Sequence, residues 1–137
     1  MTLPLQVKRR KSIPLKIGPV TVGGDAPISV QSMTNTPTQD VDATVAQIQR
    51  LEAAGCEIIR VAVPDEAAAD AIARIKSRIT IPLIADIHFD HRLAIRAARA
   101  GADALRLNPG NIGGAARGRA VGDCARGHGI ALRVGGN

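Results

Sequence analysis

Residues 83–91 read Leu-Ile-Ala-Asp-Ile-His-Phe-Asp-His, preceded by Pro82. The segment begins as a buried strand and then places two polar side chains, Asp86 and His88, two residues apart. In a strand, residues i and i+2 face the same way, so both project to one side at the strand's C-terminal end. Other apolar segments repeat the arrangement: Arg60 in Ile58-Ile59-Arg60-Val61, Arg106 and Asn108 in Leu105-Arg106-Leu107-Asn108, Arg133 and Asn137 in Leu132-Arg133-Val134-Gly135-Gly136-Asn137. A parallel sheet whose strands all end in polar residues on one face builds a site there.

Working outward, strands are expected at Ile28–Met33, Glu57–Val63, Pro82–His88, Ala104–Asn108 and Ile130–Val134, with helical patterns between them. In 40–54, Val41, Val45, Ile48 and Leu51 recur at spacings of 4, 3 and 3, with Asp40 placed to cap and Gly55 to stop the helix. In 65–79, Ala68, Ile72, Ile75 and Ile79 recur at 4, 3 and 4. A third helix, 90–100, has Asp90 as cap and Gly101 as stop. The fourth, 115–126, is weaker, because Gly118 and Gly122 each cost about 1 kcal/mol relative to Ala in a helix interior. Before them, 15–22 reads as a β-hairpin turning at Gly18-Pro19, placed to plug the bottom of a barrel.

Alternating strands and helices define an α/β fold with a parallel sheet. A doubly wound sheet and a (β/α)8 TIM barrel compete. No G-x-G-x-x-G follows the first strand, which weakens the dinucleotide-binding version. Polar residues ending strand after strand favour the barrel, whose site draws on many strands. Five β/α units are visible where a barrel needs eight and about 250 residues, so a partial barrel preceded by a hairpin is expected.

Composition is compatible with this. The 137 residues are 45% hydrophobic but 1% aromatic, Phe89 being the lone aromatic residue. The core must be built from Ile, Val, Leu and Ala, and base-stacking nucleic-acid platforms are disfavoured. Net charge is +6, which points to an anionic partner. Much of it lies in Lys8-Arg9-Arg10-Lys11, which reads as part of a solvated basic tail over 1–14. No export signal and no run of about 20 apolar residues is present, so no membrane partner is expected and the chain reads as cytoplasmic; with the missing aromatics and a solvated basic run, nucleic acid is not an expected partner either. Cys56 and Cys124 form no C-x-x-C pair. Both are expected as buried, reduced thiols.

Arg60, among apolar neighbours, must find an anion. Its partner is either Asp86, as an internal ion pair, or a ligand. Arg106, Asn108 and the glycine-rich 109–114 that follows them suit a phosphate, or else form an ordinary turn. With Arg133, three inward arginines against one acid favour a multiply charged anion such as a diphosphate. Asp86, His88, Asp90 and His91 are too local for a metal site, so no metal ligand is expected. Asp90 reads as a helix cap and His91 as a first-turn residue.

Val30-Gln31-Ser32-Met33-Thr34-Asn35-Thr36, Ala85-Asp86-Ile87-His88-Phe89-Asp90 and 105–113, Leu-Arg-Leu-Asn-Pro-Gly-Asn-Ile-Gly, resemble the 4-hydroxy-3-methylbut-2-enyl diphosphate synthase family. The resemblance implies reductive conversion of 2-C-methyl-D-erythritol 2,4-cyclodiphosphate to the family's product in non-mevalonate isoprenoid biosynthesis. Electrons would come from flavodoxin or ferredoxin through a [4Fe–4S] cluster, in a homodimer. It implies that Arg60, Arg106 and Arg133 hold the diphosphate, assisted by Asn108 and Asn137. Asp86 and His88 would act on the carbon skeleton and its hydroxyls, and Gln31 and Ser32 would line the mouth. Residues 15–137 would then be the N-terminal part of the substrate-binding barrel. The C-terminal iron–sulfur domain, with the cluster ligands, is expected to be absent and the chain alone inactive. A phosphate-binding barrel of the dihydropteroate-synthase kind and a non-catalytic basic fragment are the rival expectations.

Overall fold

A computed structural model describes residues 10–135. Lys8, Arg9, Gly136 and Asn137, named above, lie outside the described residues.

A hairpin opens the fold, β1 (Leu15–Ile17) antiparallel to β2 (Val20–Val22). Its turn needs Gly18, whose φ of +56° is in the left-handed region and whose absent Cβ would lie 3.0 Å from Pro82 Cβ. Five parallel strands follow: β3 (Gln31–Met33), β4 (Ile58–Val63), β5 (Leu83–Ile87), β6 (Ala104–Leu107) and β7 (Ala131–Val134). Between them run α1 (Val41–Ala53), α2 (Glu66–Lys76), α3 (His91–Arg99) and α4 (Ala115–His128).

The strand order is sequential, β3-β4-β5-β6-β7, with no reversal point, and each helix packs beside the next. A doubly wound sheet requires a reversal and helices on both faces. Here the helices cover one face and the hairpin the other, which is the wall of a partial TIM barrel.

The side chains alternate accordingly. Ile59, Val61, Val63, Leu83, Ala85, Ile87, Leu105 and Leu107 point to the helices and bury against Val45, Ile48, Ile72, Ile75, Ala94, Ala97 and Val121. A smaller cluster, Ile58, Ile84 and Ala104, with Ala131 beside it on β7, faces inward beneath Ile17, Val20 and Val22. The hairpin therefore closes the N-terminal end of the inner face, as the plug reading expected. Asp103 ties that end together: its Oδ2 accepts from Lys76 Nζ at 2.5 Å and from the Leu83 amide at 2.8 Å.

Two helix starts match the expected caps: Asp40 and Asp90 accept from the amides of Ala43 and Arg92. Asp65, not singled out as a cap in the sequence, does the same for α2, accepting from the Ala68 amide. Element ends differ by a few residues. β3 is half the expected length because Ile28 and Val30 precede the start of β4 and are left exposed; the Val30 carbonyl still accepts from the amides of Glu57 and Ile58. α2 stops at Lys76, where the Ser77 hydroxyl donates to the Arg74 carbonyl, although Ile79 still packs on the core. The glycines do not shorten α4, which runs to His128 and ends at Gly129 with φ +66°. Cys56 is buried and donates to the Ile58 carbonyl. Cys124 departs from expectation: it is only half-buried, one helical turn from His128 on the thinly buried α4.

Candidate functional site

Above the small inner cluster, the C-terminal ends of the strands carry the polar residues. Asp86, Arg106 and Arg133 occupy matched positions on β5, β6 and β7. Arg60 stands lower, its register partner being Ile84; the partner of Asp86 on β4 is Ala62. Beside that short side chain, Arg60 leans up towards the carboxylate.

Asp86 is 3% exposed and lies between two guanidiniums. Arg106 Nη1 donates to Oδ1 at 3.1 Å, while Arg60 Nε is 3.6 Å from Oδ2, beyond hydrogen-bond reach. The internal ion pair thus forms, but with Arg106 as the bonded partner and Arg60 as a loose neighbour. Arg60 Nε is buried with no hydrogen-bond partner in the described structure. Its Nη2 reaches the Met33 sulfur at 3.5 Å, a weak acceptor for a cation. A buried N–H without an acceptor loses its hydration without recompense, and the nearby Asp86 carboxylate offsets this only by charge.

Arg60 and Arg133 border a shallow hollow of about 460 Å³ together with Ser29, Gln31, Ser32 and Met33. Gln31 shares the inner face with Met33. Ser32 also borders the hollow, but its register partner Ile59 faces the helices, so strand alternation puts its side chain on the other face. His88 lies just past β5, its Nε2 3.9 Å from Asp86 Oδ2 and its ring tilted towards Phe89. Asn108 Oδ1 accepts from the Gly110 amide at 3.0 Å, leaving the amide nitrogen as the group able to donate to a ligand. Asn137 lies outside the described residues.

His91 and Asp90 stand apart from this cluster. Asp90 accepts from both the amide and the side chain of Arg92, and the Arg92 side-chain hydrogen bond holds its carboxyl below the usual value. In the glycine-rich segment, Gly113 and Gly114 have φ of +92° and +105°, and the start of α4 has no side-chain cap. Sequence reasoning missed Met33, which was accessible from alternation, since it follows Gln31 by two.

Among the described residues no group of three or more His, Cys, Asp and Glu side chains is placed to hold a metal. Cys56 and Cys124 belong to different elements, one at the entrance of β4 and one on α4. The described residues therefore do not fit a [4Fe–4S] cluster, which takes three or four clustered thiolates.

A parallel β/α wall whose strands carry Arg60 and Arg106 beside one buried carboxylate, with Arg133 next to Arg106 on the following strand, defines a TIM-barrel portion with a cluster of cationic side chains. The chain belongs to the GcpE family, whose TIM-barrel domain model matches residues 12–137. It is 62% identical over 131 residues to the 4-hydroxy-3-methylbut-2-en-1-yl diphosphate synthase (flavodoxin) of Azotobacter vinelandii, an alignment covering 96% of this chain and 35% of that protein. The synthase of the same name from Chromohalobacter salexigens is 58% identical over 137 residues, 100% of this chain and 37% of that protein. That of Pseudomonas syringae pv. syringae is 62% identical over 131 residues, 96% and 36%. The chain spans about a third of the length of these curated relatives. No helix among the described residues is long and apolar enough to cross a membrane.

Proposed function

We propose that this chain is the substrate-binding barrel portion of an enzyme that converts 2-C-methyl-D-erythritol 2,4-cyclodiphosphate to (E)-4-hydroxy-3-methylbut-2-enyl diphosphate. The observation that carries the reading is the unpaired, buried Arg60 Nε beside Asp86, in a hollow shared with Arg133. The synthase activity for which the relatives are named agrees with it.

In this reading Arg60, Arg106 and Arg133 hold the diphosphate. Guanidinium forks suit its oxygens, and charge-assisted hydrogen bonds are about twice as strong as neutral ones. The Asn108 amide nitrogen and Asn137 assist. Asp86 keeps Arg106 aimed while its second oxygen faces a substrate hydroxyl. His88, with 42% of its side chain exposed, reaches the carbon skeleton and moves a proton at a hydroxyl oxygen. Gln31 and Ser32 border the mouth.

The electrons come from flavodoxin in the whole enzyme, a homodimer whose [4Fe–4S] cluster is held by residues outside the described ones. No step through the cluster is assigned to the side chains of this chain. The test is anaerobic turnover of the cyclodiphosphate with dithionite. The 137-residue chain alone should form no product. A preparation that also contains the cluster-bearing part should be active and should lose activity on Arg60→Ala or Arg106→Ala. Turnover by the 137-residue chain alone, or full activity of those variants, would overturn the reading.

A further inference from the structure

Gly135 lies at the next inward position beyond Arg133, and its amide continues the ladder by donating to the Leu107 carbonyl at 3.0 Å. A Cβ on Gly135 would stand 2.7 Å from Arg106 Nη2, 2.9 Å from Nε and 3.2 Å from Cζ. The guanidinium thus turns its Nε–Nη2 edge towards the glycine, into the volume that the Cβ of any other residue would fill. Its remaining nitrogen, Nη1, is the one that donates to Asp86. Backbone conformation does not demand the glycine, because Gly135 is not among the positive-φ residues.

We propose that Gly135 is a positioning residue for Arg106: the missing side chain is the seat of the guanidinium, and it fixes the direction in which Arg106 meets Asp86 and an incoming anion. The link to anion binding rests on the function proposed above. The link to Asp86 does not. With a methyl group at 135 the guanidinium must rotate away, since a flexible side chain yields more readily than two strands held in register. The seat is specific. At Gly122, on α4, an added Cβ meets nothing within 4 Å, so Gly122→Ala serves as the control for a glycine change without a seated partner.

The experiment compares the parent chain with Gly135→Ala, Arg106→Ala, the double variant and Gly122→Ala. One readout is calorimetric titration with inorganic pyrophosphate. The other is the ¹⁵N NMR signal of the Arg106 Nε–H, referenced to Asp86→Asn. Gly135→Ala should weaken pyrophosphate binding by about tenfold, the lower end for a charge-assisted hydrogen bond. It should add nothing in the Arg106→Ala background, and Gly122→Ala should bind like the parent. The Arg106 signal should move in Gly135→Ala as it does in Asp86→Asn. An unchanged affinity, an equal loss with Arg106 already removed, or an unmoved signal would overturn the proposal. If the parent itself binds no pyrophosphate, the anion reading fails while the NMR comparison still decides the role of Gly135. If Gly135→Ala does not fold, recovery of the fold in the double variant supports the seat, and a double variant that is also unfolded contradicts it.

Discussion

Arg106 and Asp86 are direct register partners on adjacent parallel strands, and Arg106 Nη1 donates to Asp86 Oδ1 at 3.1 Å. The arginine is 20% exposed and the aspartate 4% by side chain, so the carboxylate is enclosed while the cation keeps an open side. Arg60 Nε, 3.6 Å from the other oxygen, makes the group a carboxylate between two guanidiniums, with positive charge left over towards the hollow.

Asp86→Asn keeps the shape and removes the only negative charge between the two guanidiniums. Stability should fall by about 1–3 kcal/mol, less than the roughly 3–5 kcal/mol of breaking a fully buried pair, because both arginines remain partly hydrated. Urea melts check it; an unchanged midpoint would contradict the charge argument.

Ile72 is fully buried on α2 against the strands, and Ile72→Ala should cost about 2–5 kcal/mol. Asp65→Ala removes the cap that accepts from the Ala68 amide at 2.9 Å and should cost about 1 kcal/mol. Denaturant midpoints on both variants would reveal the order; a cap loss as large as the core loss would mean that α2 is held mainly at its end.

Asp90 gives a pH signature. Its carboxyl is held below the usual 3.8, first by the Arg92 side-chain hydrogen bond and then by the Arg92 backbone amide. A depressed carboxylate stabilises the fold above its unfolded value, and this contribution disappears as pH falls through the lower folded value. Thermal melts between about pH 5 and 2 should show a shallower acid fall for Asp90→Asn than for the parent. Parallel curves would contradict the capping role.

The outer strands β3 and β7 each have one unpaired edge in the described sheet, and Val134 is 62% exposed. Open edges pair with other chains. The 137-residue chain in isolation should therefore self-associate as concentration rises, and light scattering should report it. A sharp monomer peak together with a cooperative thermal transition would contradict this.

Much of the fold was legible because its signals are local. The 3.6-residue periodicity of Val41, Val45, Ile48 and Leu51 and the capping Asp40 and Asp90 each belong to one element. The inward set of Arg60, Asp86, Arg106 and Arg133 followed from strand alternation alone. What alternation does not encode is register between strands. Ala62, not Arg60, lies opposite Asp86, so the bonded partner is Arg106. The same gap hid Gly135, whose importance comes from a side chain on the neighbouring strand. The short β3 was overread because the apolar Ile28 and Val30 suggest a strand, while β4 begins only at Ile58 and Val30 adds to the backbone ladder just carbonyl bonds to the amides of Glu57 and Ile58.

The central claim is that the three strand-borne arginines act as one anion site, and calorimetric titration of 2-C-methyl-D-erythritol 2,4-cyclodiphosphate tests it most directly. The folded parent chain should bind the cyclodiphosphate. Arg60→Ala, Arg106→Ala and Arg133→Ala should each weaken binding by about 1.5–3 kcal/mol, the range for hydrogen bonds to charged groups. Unchanged affinity in all three folded variants, or no binding by the folded parent, would contradict the account.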